Sequence, residues 1–222
     1  MASASDTLLR QSRTLIEILR GAEQTECVTG CGGRWITLAQ NIMERNGISS
    51  VFFAKSVWEL LEKGRGKYRN ILFTGPANCG KTFIILPITI IFNAFSNPAT
   101  NTFAWVGAEK AEVIFLNDFR WQAQLIPWHD LLLLLEGGLV HLPAPKTHFA
   151  HDLTLDGITP VFATSKHAIM FVKGGAVDER ETEMMAVRWK EFSFRSQIPA
   201  TEQQHVPPCG HCFAKFIIDN SK

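Results

Sequence analysis

Residues 75 to 82 of the chain read Gly75-Pro76-Ala77-Asn78-Cys79-Gly80-Lys81-Thr82. A candidate strand over residues 70–74 precedes this segment, and a candidate helix follows it. Glycines let successive backbone N–H groups turn toward one point, and a helix N-terminus adds partial positive charge, so the segment suits phosphate oxygens. The pattern G-x-x-x-x-G-K-T in this context predicts a nucleoside triphosphate site, with Lys81 on the β- and γ-phosphates and Thr82 on Mg²⁺. The alternative is an ordinary glycine-rich turn.

The composition is typical of a globular protein. Of the 222 residues, 46% are hydrophobic and 19% are charged, and the net charge of +1 means that any contact with nucleic acid has to be local. The longest apolar stretch, residues 83–92, is too short to span a bilayer and contains Pro87. Because the chain opens without a signal-peptide pattern, we expect an intracellular protein without membrane contact, whose five cysteines are reduced or metal-bound.

Helical periodicity dominates the N-terminal part of the chain. Apolar spacing predicts a helix capped by Asp6, a second helix over residues 35–45 that ends at an Asn-Gly pair, and a third capped by Ser49 or Ser50. This helical region is expected to pack against the domain that follows it.

From residue 70 onward, short β-rich segments alternate with helices and loops. Five segments are predicted strands: residues 71–74, 102–106, 113–117, 160–164 and 189–194. This alternation predicts an α/β fold of the P-loop NTPase type, with a mostly parallel sheet flanked by helices. Pro87 is expected to kink or shorten the helix after the phosphate loop. A further helix near Pro127 is expected to bury a run of leucines.

A phosphate loop acts together with acidic residues that hold Mg²⁺ and orient the attacking water. The apolar run 113–116 is followed by Asn117 and Asp118. Since α/β sites lie at the carboxyl ends of strands, we predict that Asp118 forms the magnesium site together with Thr82. The alternative is an aspartate that only begins a turn.

The order of these elements resembles the superfamily 3 helicases of small DNA viruses. The similarity is strongest to the helicase domain of parvovirus non-structural replication proteins and extends to circovirus replication proteins. It covers residues 50–195. Besides the phosphate loop and the run before Asp118, four segments carry it: Ala104-Trp105, residues 137–146, residues 159–166 and residues 184–194.

The resemblance implies an AAA+-like ATPase that forms rings, usually hexamers, and acts on single-stranded DNA during replication of a viral or virus-derived element. It also implies a nuclear location. ATP would lie between subunits, with Lys81 and Thr82 on one side and an arginine finger from the neighbouring subunit on the other. Arg188 matches the position of the finger better than Arg180, which is the alternative finger. The other interpretation of Arg188 is an arginine at the surface of a strand edge.

Two positions depart from the family pattern. Asn117 stands where the family has the first of two acids, and Lys166 stands where it has a sensor asparagine. Both changes affect hydrolysis more than nucleotide binding, because an amide lacks the negative charge and an ammonium group cannot accept a hydrogen bond from water. From the resemblance as a whole we predict an ATP-binding and ATP-hydrolysing DNA helicase domain, and these two changes make ATP binding the safer part of that prediction. The alternatives are a nucleotide-binding assembly module that has lost hydrolysis, and a P-loop enzyme that acts on a small substrate, such as a kinase.

A short segment ahead of the turn at Asp156-Gly157 resembles the family's DNA-contacting hairpin. Three of its residues are expected to contact the phosphates of single-stranded DNA: Lys146, His148 and His151. The alternative is a solvated loop.

Cys209 and Cys212 form a C-x-x-C pair near the C-terminus. Thioredoxin-like enzymes share this spacing, but their motif opens a helix after an early strand, which disfavours a redox role here. A zinc site needs four ligands, and this pair with one of two neighbouring histidines supplies three. Cys27 and Cys31 complete a set only if the fold brings both ends of the chain together, so the sequence favours a C-x-x-C without zinc.

These patterns divide the chain into three parts. Residues 1–66 form a helical prefix with a possible role in oligomerisation, residues 67–200 form the ATPase core, and residues 201–222 form a tail that carries the C-x-x-C pair.

Overall fold

The computed structural model describes residues 12–96, 103–143, 153–155 and 157–222, and a five-stranded sheet forms its centre. The strands of these residues are β1 (Asn70–Thr74), β2 (Ala94–Ser96), β3 (Val113–Leu116), β4 (Val140–Leu142), β5 (Leu153–Leu155), β6 (Val161–Ser165), β7 (Val172–Lys173), β8 (Ala176–Val177) and β9 (Trp189–Ser193). The central sheet has the order β2-β3-β6-β1-β9, and every pair of neighbours in it is parallel. This confirms the α/β class with a mostly parallel sheet.

Alternate side chains of the central strands enter two hydrophobic cores on opposite faces of the sheet. In β1, Ile71 and Phe73 belong to one core and Leu72 belongs to the other. Strand β3 divides in the same way, with Phe115 in the first core and Ile114 in the second. Strands buried on both faces need a nearly continuous apolar sequence, which explains why these runs could be recognised from the sequence.

Helices cover both faces of the sheet. Their bounds are α1 (Leu15–Glu23), α2 (Arg34–Arg45), α3 (Ser50–Lys63), α4 (Lys81–Ile85), α5 (Ile88–Ile91), α6 (Trp128–Glu136), α7 (Glu179–Ala186) and α8 (Gly210–Asn220). The predicted second and third helices are confirmed as α2 and α3, with Ser49 as the cap of α3. The predicted cap Asp6 lies outside the described residues, and Thr14 caps α1 together with Glu17. Within the described ranges, no helix has the length and apolar character that a membrane span requires.

Two further predictions about helices are confirmed. Pro87 separates α4 from α5, because its ring cannot continue the hydrogen-bond pattern of a helix. Pro127 precedes α6, and four of the five leucines of this helix are buried in the second core.

The predicted strand over residues 102–106 is wrong, as is the strand-like interpretation of Ala104-Trp105. The described part of this segment forms turns, and the strand that lies beside β3 at this edge of the sheet is β2. Trp105 is buried, stacks on Phe95 of β2 with a centroid distance of 5.6 Å, and donates from Nε1 to the Leu125 carbonyl at 2.8 Å. Its apolar neighbourhood therefore reflects packing over the sheet edge and not membership of the sheet.

Helices from both ends of the chain pack over the first core. Helix α8 contacts α1, α2 and α3. Trp35 of α2 lies among them, with its ring centroid 5.8 Å from that of Phe83, 5.7 Å from that of Phe213 and 6.1 Å from that of Phe216. Residues of the predicted prefix, core and tail thus share one buried cluster. The division of the chain into three parts stays a prediction.

Asn70, the first residue of β1, is a fully buried polar residue that connects three segments of the chain. Its Nδ2 atom lies 2.7 Å from the Leu135 carbonyl, 2.9 Å from the Arg188 carbonyl and 3.1 Å from the Gly66 carbonyl. One side chain therefore joins the start of β1 to the end of α6 and to the residue before β9.

Replacing Asn70 by leucine, which has a similar volume, is expected to lower the free energy of unfolding by about 2–4 kcal/mol, because buried carbonyl groups lose their donor. Urea denaturation followed by circular dichroism measures this loss. Asn93→Leu is the matched control, since Asn93 donates to the Lys110 carbonyl at 2.9 Å at an exposed position. The control is expected to cost no more than about 0.5 kcal/mol. Equal losses in the two variants would contradict the role assigned to burial.

Candidate nucleotide-binding site

The phosphate loop lies between the carboxyl end of β1 and the start of α4, and two of its glycines are sterically required. Gly75 has φ +140°, and a Cβ atom there would lie 2.0 Å from the Phe194 carbonyl oxygen. Gly80 has φ +89°, and a Cβ atom there would lie 2.8 Å from Cγ2 of Ile42 in α2. Only glycine combines this backbone conformation with such close neighbours. The packing of β9 and α2 thus shapes the loop.

Lys81 folds back over its own loop. Its Nζ atom donates to the carbonyl oxygens of Gly75 and Pro76, at 2.6 Å in both cases, and lies 3.4 Å from Sγ of Cys79. The ammonium group is therefore held at the loop, within reach of phosphate oxygens that the backbone N–H groups would bind.

The residues after β3 face the phosphate loop through Asn117. Its Oδ1 atom accepts hydrogen bonds from Oγ1 of Thr82 at 3.1 Å and from Oγ1 of Thr164 at 2.9 Å. Asp118 has φ +49°, and its carboxylate is exposed and lies 3.6 Å from Nη2 of Arg120. The side chain that contacts the threonine of the loop is therefore an amide, and the carboxylate of Asp118 is exposed.

The predicted residues converge on one cleft of about 330 Å³. It is lined by the loop residues 77–83 together with Asn117, Asp118, Thr164 and Lys166. Thr82 and Asp118, the predicted magnesium ligands, thus border the same space. The Lys166 side chain is exposed, and its carbonyl accepts the N–H of Gly75 at 3.2 Å.

A second cleft of about 400 Å³ lies on the other side of the loop, toward α2. Its apolar wall consists of Leu38, Ile42, Phe83 and Ile198. The two clefts share Phe83, Gly80 and Asn78, so they adjoin at the phosphate loop.

The chain is similar to a family of viral replication proteins over most of its length. The model of the family described as parvovirus non-structural protein NS1 matches residues 9–201 of the chain. The chain belongs to the parvovirus NS1 family. The resemblance to a superfamily 3 helicase domain is thereby confirmed. A search of the curated proteins finds no match.

Solved structures share the fold of this NS1-family chain at low sequence identity. An apo structure of the NrS-1 C-terminal region has a TM-score of 0.53 at 10% identity, and the match covers 90% of this chain and 45% of that one. Another apo structure of the same region has a TM-score of 0.52 at 12% identity, with 90% and 46% covered. A JCV helicase structure has a TM-score of 0.49 at 14% identity, with 86% and 56% covered. The chain therefore spans less than half of the NrS-1 region, and the likeness shows the fold alone.

Arg188 of this NS1-family chain is buried and does not line the cleft at the phosphate loop. Nε donates to the Leu132 carbonyl at 2.8 Å, Nη2 donates to Oε2 of Glu136 at 2.6 Å, and Nη1 donates to the Met184 carbonyl. An arginine finger has to present its guanidinium group to a neighbouring subunit, so Arg188 would first have to leave this network. Arg180 is exposed in the first turn of α7. The identity of the finger stays a prediction.

The residues predicted to contact DNA lie outside the described residues: Lys146, His148 and His151. The flanking strands β4 and β5 pair antiparallel, with His141 opposite Thr154. Buried Arg65 lies beneath them and donates to the Leu155 carbonyl at 3.3 Å. The described strands thus form the antiparallel base that a hairpin requires, and contact with DNA stays a prediction.

Two polar residues at this edge of the sheet were not predicted as site residues from the sequence: Thr164 and Arg195. Thr164 follows the apolar part of β6. Its Oγ1 atom donates to Oδ1 of Asn117 and accepts a hydrogen bond from the backbone N–H of Asp118, with an N···O distance of 2.7 Å. Arg195 follows β9 and lines a cleft with Gly75 and Lys166. Both positions could have been found, because β6 and β9 flank β1 in a parallel sheet and polar residues at their carboxyl ends meet the phosphate loop.

Four of the five cysteines meet at a second site. Cys27 and Cys31 lie between α1 and α2, Cys209 caps α8, and Cys212 lies in the first turn of α8. Their four Sγ atoms lie within 4.8 Å of one another. The fold brings the two pairs together, which is the condition that the sequence left open, and neither His205 nor His211 belongs to this group.

The thiols of this cysteine cluster have different acidities. Burial raises the pKa of Cys31 and of Cys212 above the ordinary value for a thiol. Burial acts on Cys27 in the same direction, but the N–H of Gly33 and the neighbouring thiols outweigh it and lower the pKa of Cys27. Of these three, Cys27 therefore ionises most readily.

Proposed function

We propose that this chain is the ATP-driven motor domain of a DNA helicase that acts on single-stranded DNA during replication of a viral or virus-derived element. One observation carries the proposal: the phosphate loop shares a single cleft with Asn117, Asp118 and Lys166. Membership of the parvovirus NS1 family supports it.

The phosphates of ATP would bind to the N–H groups of the loop and to the N-terminus of α4. On binding, Lys81 would exchange the carbonyl oxygens of Gly75 and Pro76 for the β- and γ-phosphates. Thr82 would ligate Mg²⁺, and Asn117, 3.1 Å from the Thr82 hydroxyl, would hold a water molecule of the metal. Asp118 would then polarise the attacking water at the open side of the cleft.

The residues around the loop also suggest where the base of ATP, its γ-phosphate and an arginine of a neighbouring subunit would lie. The base would occupy the apolar cleft of Leu38, Ile42 and Phe83, which adjoins the phosphate site. The exposed ammonium group of Lys166 would attract the γ-phosphate. A ring of subunits, a hexamer by family resemblance, would bring an arginine to this open side, with Arg180 the better exposed of the two candidates.

The second candidate function is a nucleotide-binding assembly module without hydrolysis. The amide of Asn117 at the magnesium position favours it, because a carboxylate there would attract the metal more strongly.

The deciding experiment is steady-state ATP hydrolysis, with nucleotide binding measured in parallel, in the presence and absence of single-stranded DNA. We expect turnover that DNA stimulates, and a loss of about 100-fold or more in Asp118→Asn with ATP binding retained. Asp219→Asn is the control, because this exposed aspartate pairs with Lys215 at 3.0 Å on α8, away from the cleft.

Two results would contradict the motor proposal. Tight ATP binding without turnover in the native chain would establish the assembly module. Turnover that ignores DNA and requires a small acceptor molecule would indicate a kinase-like enzyme.

A further inference from the structure

The separations within the cysteine cluster match those of a tetrahedral metal site. The Sγ atom of Cys27 lies 3.7 Å from that of Cys209 and 3.6 Å from that of Cys212, and the Sγ atoms of Cys31 and Cys212 are 3.6 Å apart. Four sulfur atoms placed about 2.3 Å from a central zinc ion form a tetrahedron with edges of about 3.8 Å. We propose that Cys27, Cys31, Cys209 and Cys212 bind one structural zinc ion.

The spacing excludes two other arrangements of these sulfur atoms. The three separations of 3.6–3.7 Å are far longer than the ~2.05 Å of a disulfide bond, and the cysteines are free thiols. A group of four sulfur atoms within 4.8 Å encloses a single ion and leaves no space for the bridging sulfides of an iron–sulfur cluster. Four thiolates around one borderline-soft cation are a common structural zinc site.

The backbone around the cluster is already arranged to hold thiolates. On one side of the cluster, the N–H of Cys31 donates to the Val28 carbonyl at 3.0 Å and so closes the turn between Cys27 and Cys31. On the other side, the N–H of Cys212 lies 3.5 Å from Sγ of Cys209, at the N-terminus of an 11-residue helix. Hydrogen bonds to the ligand atoms orient them and offset their charge, and the positive end of the helix dipole does the same.

The site joins parts of the chain that are far apart in sequence. Cys27 and Cys209 are 182 residues apart, so the ion would tie the segment between α1 and α2 to the start of α8. Trp35 lies in the first turn of α2, four residues after Cys31. It packs on Phe83 of the phosphate-loop helix and donates from Nε1 to the Phe83 carbonyl at 3.3 Å. Zinc would therefore stabilise the helical layer on which the phosphate loop rests.

The test is the metal content of the full chain, purified without an affinity tag and analysed by inductively coupled plasma mass spectrometry. About one zinc ion per chain is expected, falling at least about tenfold in Cys209→Ser/Cys212→Ser. Cys79→Ser is the matched control, because Cys79 is the one cysteine outside the cluster, and this variant is expected to keep its zinc.

A second measurement covers the case in which the double variant does not fold. Native chain stripped by a chelator is titrated with Co²⁺, and one equivalent is expected to produce the thiolate charge-transfer and tetrahedral d–d bands of a four-sulfur site. Zinc retained in the double variant, iron in place of zinc, disulfides among the four cysteines, or a folded chain that binds neither ion would overturn the proposal.

Discussion

Replacing Lys81 by methionine is expected to lower the affinity for MgATP by at least about 100-fold, because hydrogen bonds to charged groups contribute about 1.5–3 kcal/mol each. Methionine has a similar length but cannot donate to phosphate. The Lys81 ammonium already donates to two loop carbonyl oxygens at 2.6 Å, so its position beside the phosphate site does not depend on a rearrangement of the backbone. Isothermal titration calorimetry with MgATP measures the change.

The control for this variant is Lys110→Met. Lys110 is exposed in the turn before β3 and does not line either cleft, so its replacement should leave ATP affinity within about twofold of the native value. Gly75 is half-buried and Pro76 is exposed, so their carbonyl groups do not become deeply buried and unpaired, and Lys81→Met should remain folded. Native affinity in Lys81→Met would mean that ATP binds elsewhere, and the cleft would lose its assignment.

The central strands could be predicted from the sequence because each is buried on both faces. Four apolar residues in a row made β3 recognisable, and the residues around Ile71 made β1 recognisable. The edge strand β2 has only three residues and none of them is buried, so its sequence carries no comparable signal. The neighbouring segment around Trp105 was mistaken for it, because burial over a sheet edge and burial within a sheet favour the same residue types.

The composition of the nucleotide site was predictable, but the orientation of its side chains was not. The glycines, Lys81 and Thr82 follow a motif whose spacing encodes the loop. Which of Asn117 and Asp118 faces Thr82 depends on the left-handed backbone at Asp118, where φ is +49°. Such a conformation is uncommon for a residue other than glycine, and sequence periodicity does not reveal it.

The cysteine cluster shows a different limit. Each pair was visible in the sequence, but their meeting depends on the packing of α8 against the first three helices. Cys27 and Cys209 are 182 residues apart in the sequence. A contact over that separation depends on the whole fold, and local sequence patterns do not encode it.

Replacing Asn117 by aspartate is expected to raise the rate of MgATP hydrolysis by about tenfold or more, which corresponds to about 1.4 kcal/mol. The two side chains have the same shape, so the carboxylate can accept the same hydrogen bonds from Thr82 at 3.1 Å and from Thr164 at 2.9 Å. The substitution adds one negative charge beside the predicted Mg²⁺ position. Two unit charges at 4 Å interact by about 4 kcal/mol at an effective dielectric constant of about 20, so a tenfold gain requires only part of that energy.

Hydrolysis measured over a range of Mg²⁺ concentrations separates the effect on the metal from the effect on chemistry. Asn117→Asp should reach half-maximal rate at a lower Mg²⁺ concentration than the native chain, since the added charge acts on the ion. Asn117→Ala removes both hydrogen bonds and the group that would hold the metal's water, so it should require a higher Mg²⁺ concentration than the native chain. A rate in Asn117→Asp equal to or below the native rate would contradict the position assigned to the metal.

The same substitution distinguishes the two candidate functions. If the native chain hydrolyses ATP and Asn117→Asp accelerates it, the amide is a tolerated change in a working motor. If the native chain binds ATP without turnover and Asn117→Asp hydrolyses it, the cleft retains Asp118 and Lys166 in working positions and one missing charge accounts for the loss. The second result would make this chain a nucleotide-gated assembly module, because its site would still bind ATP but lack the charge that completes the metal site.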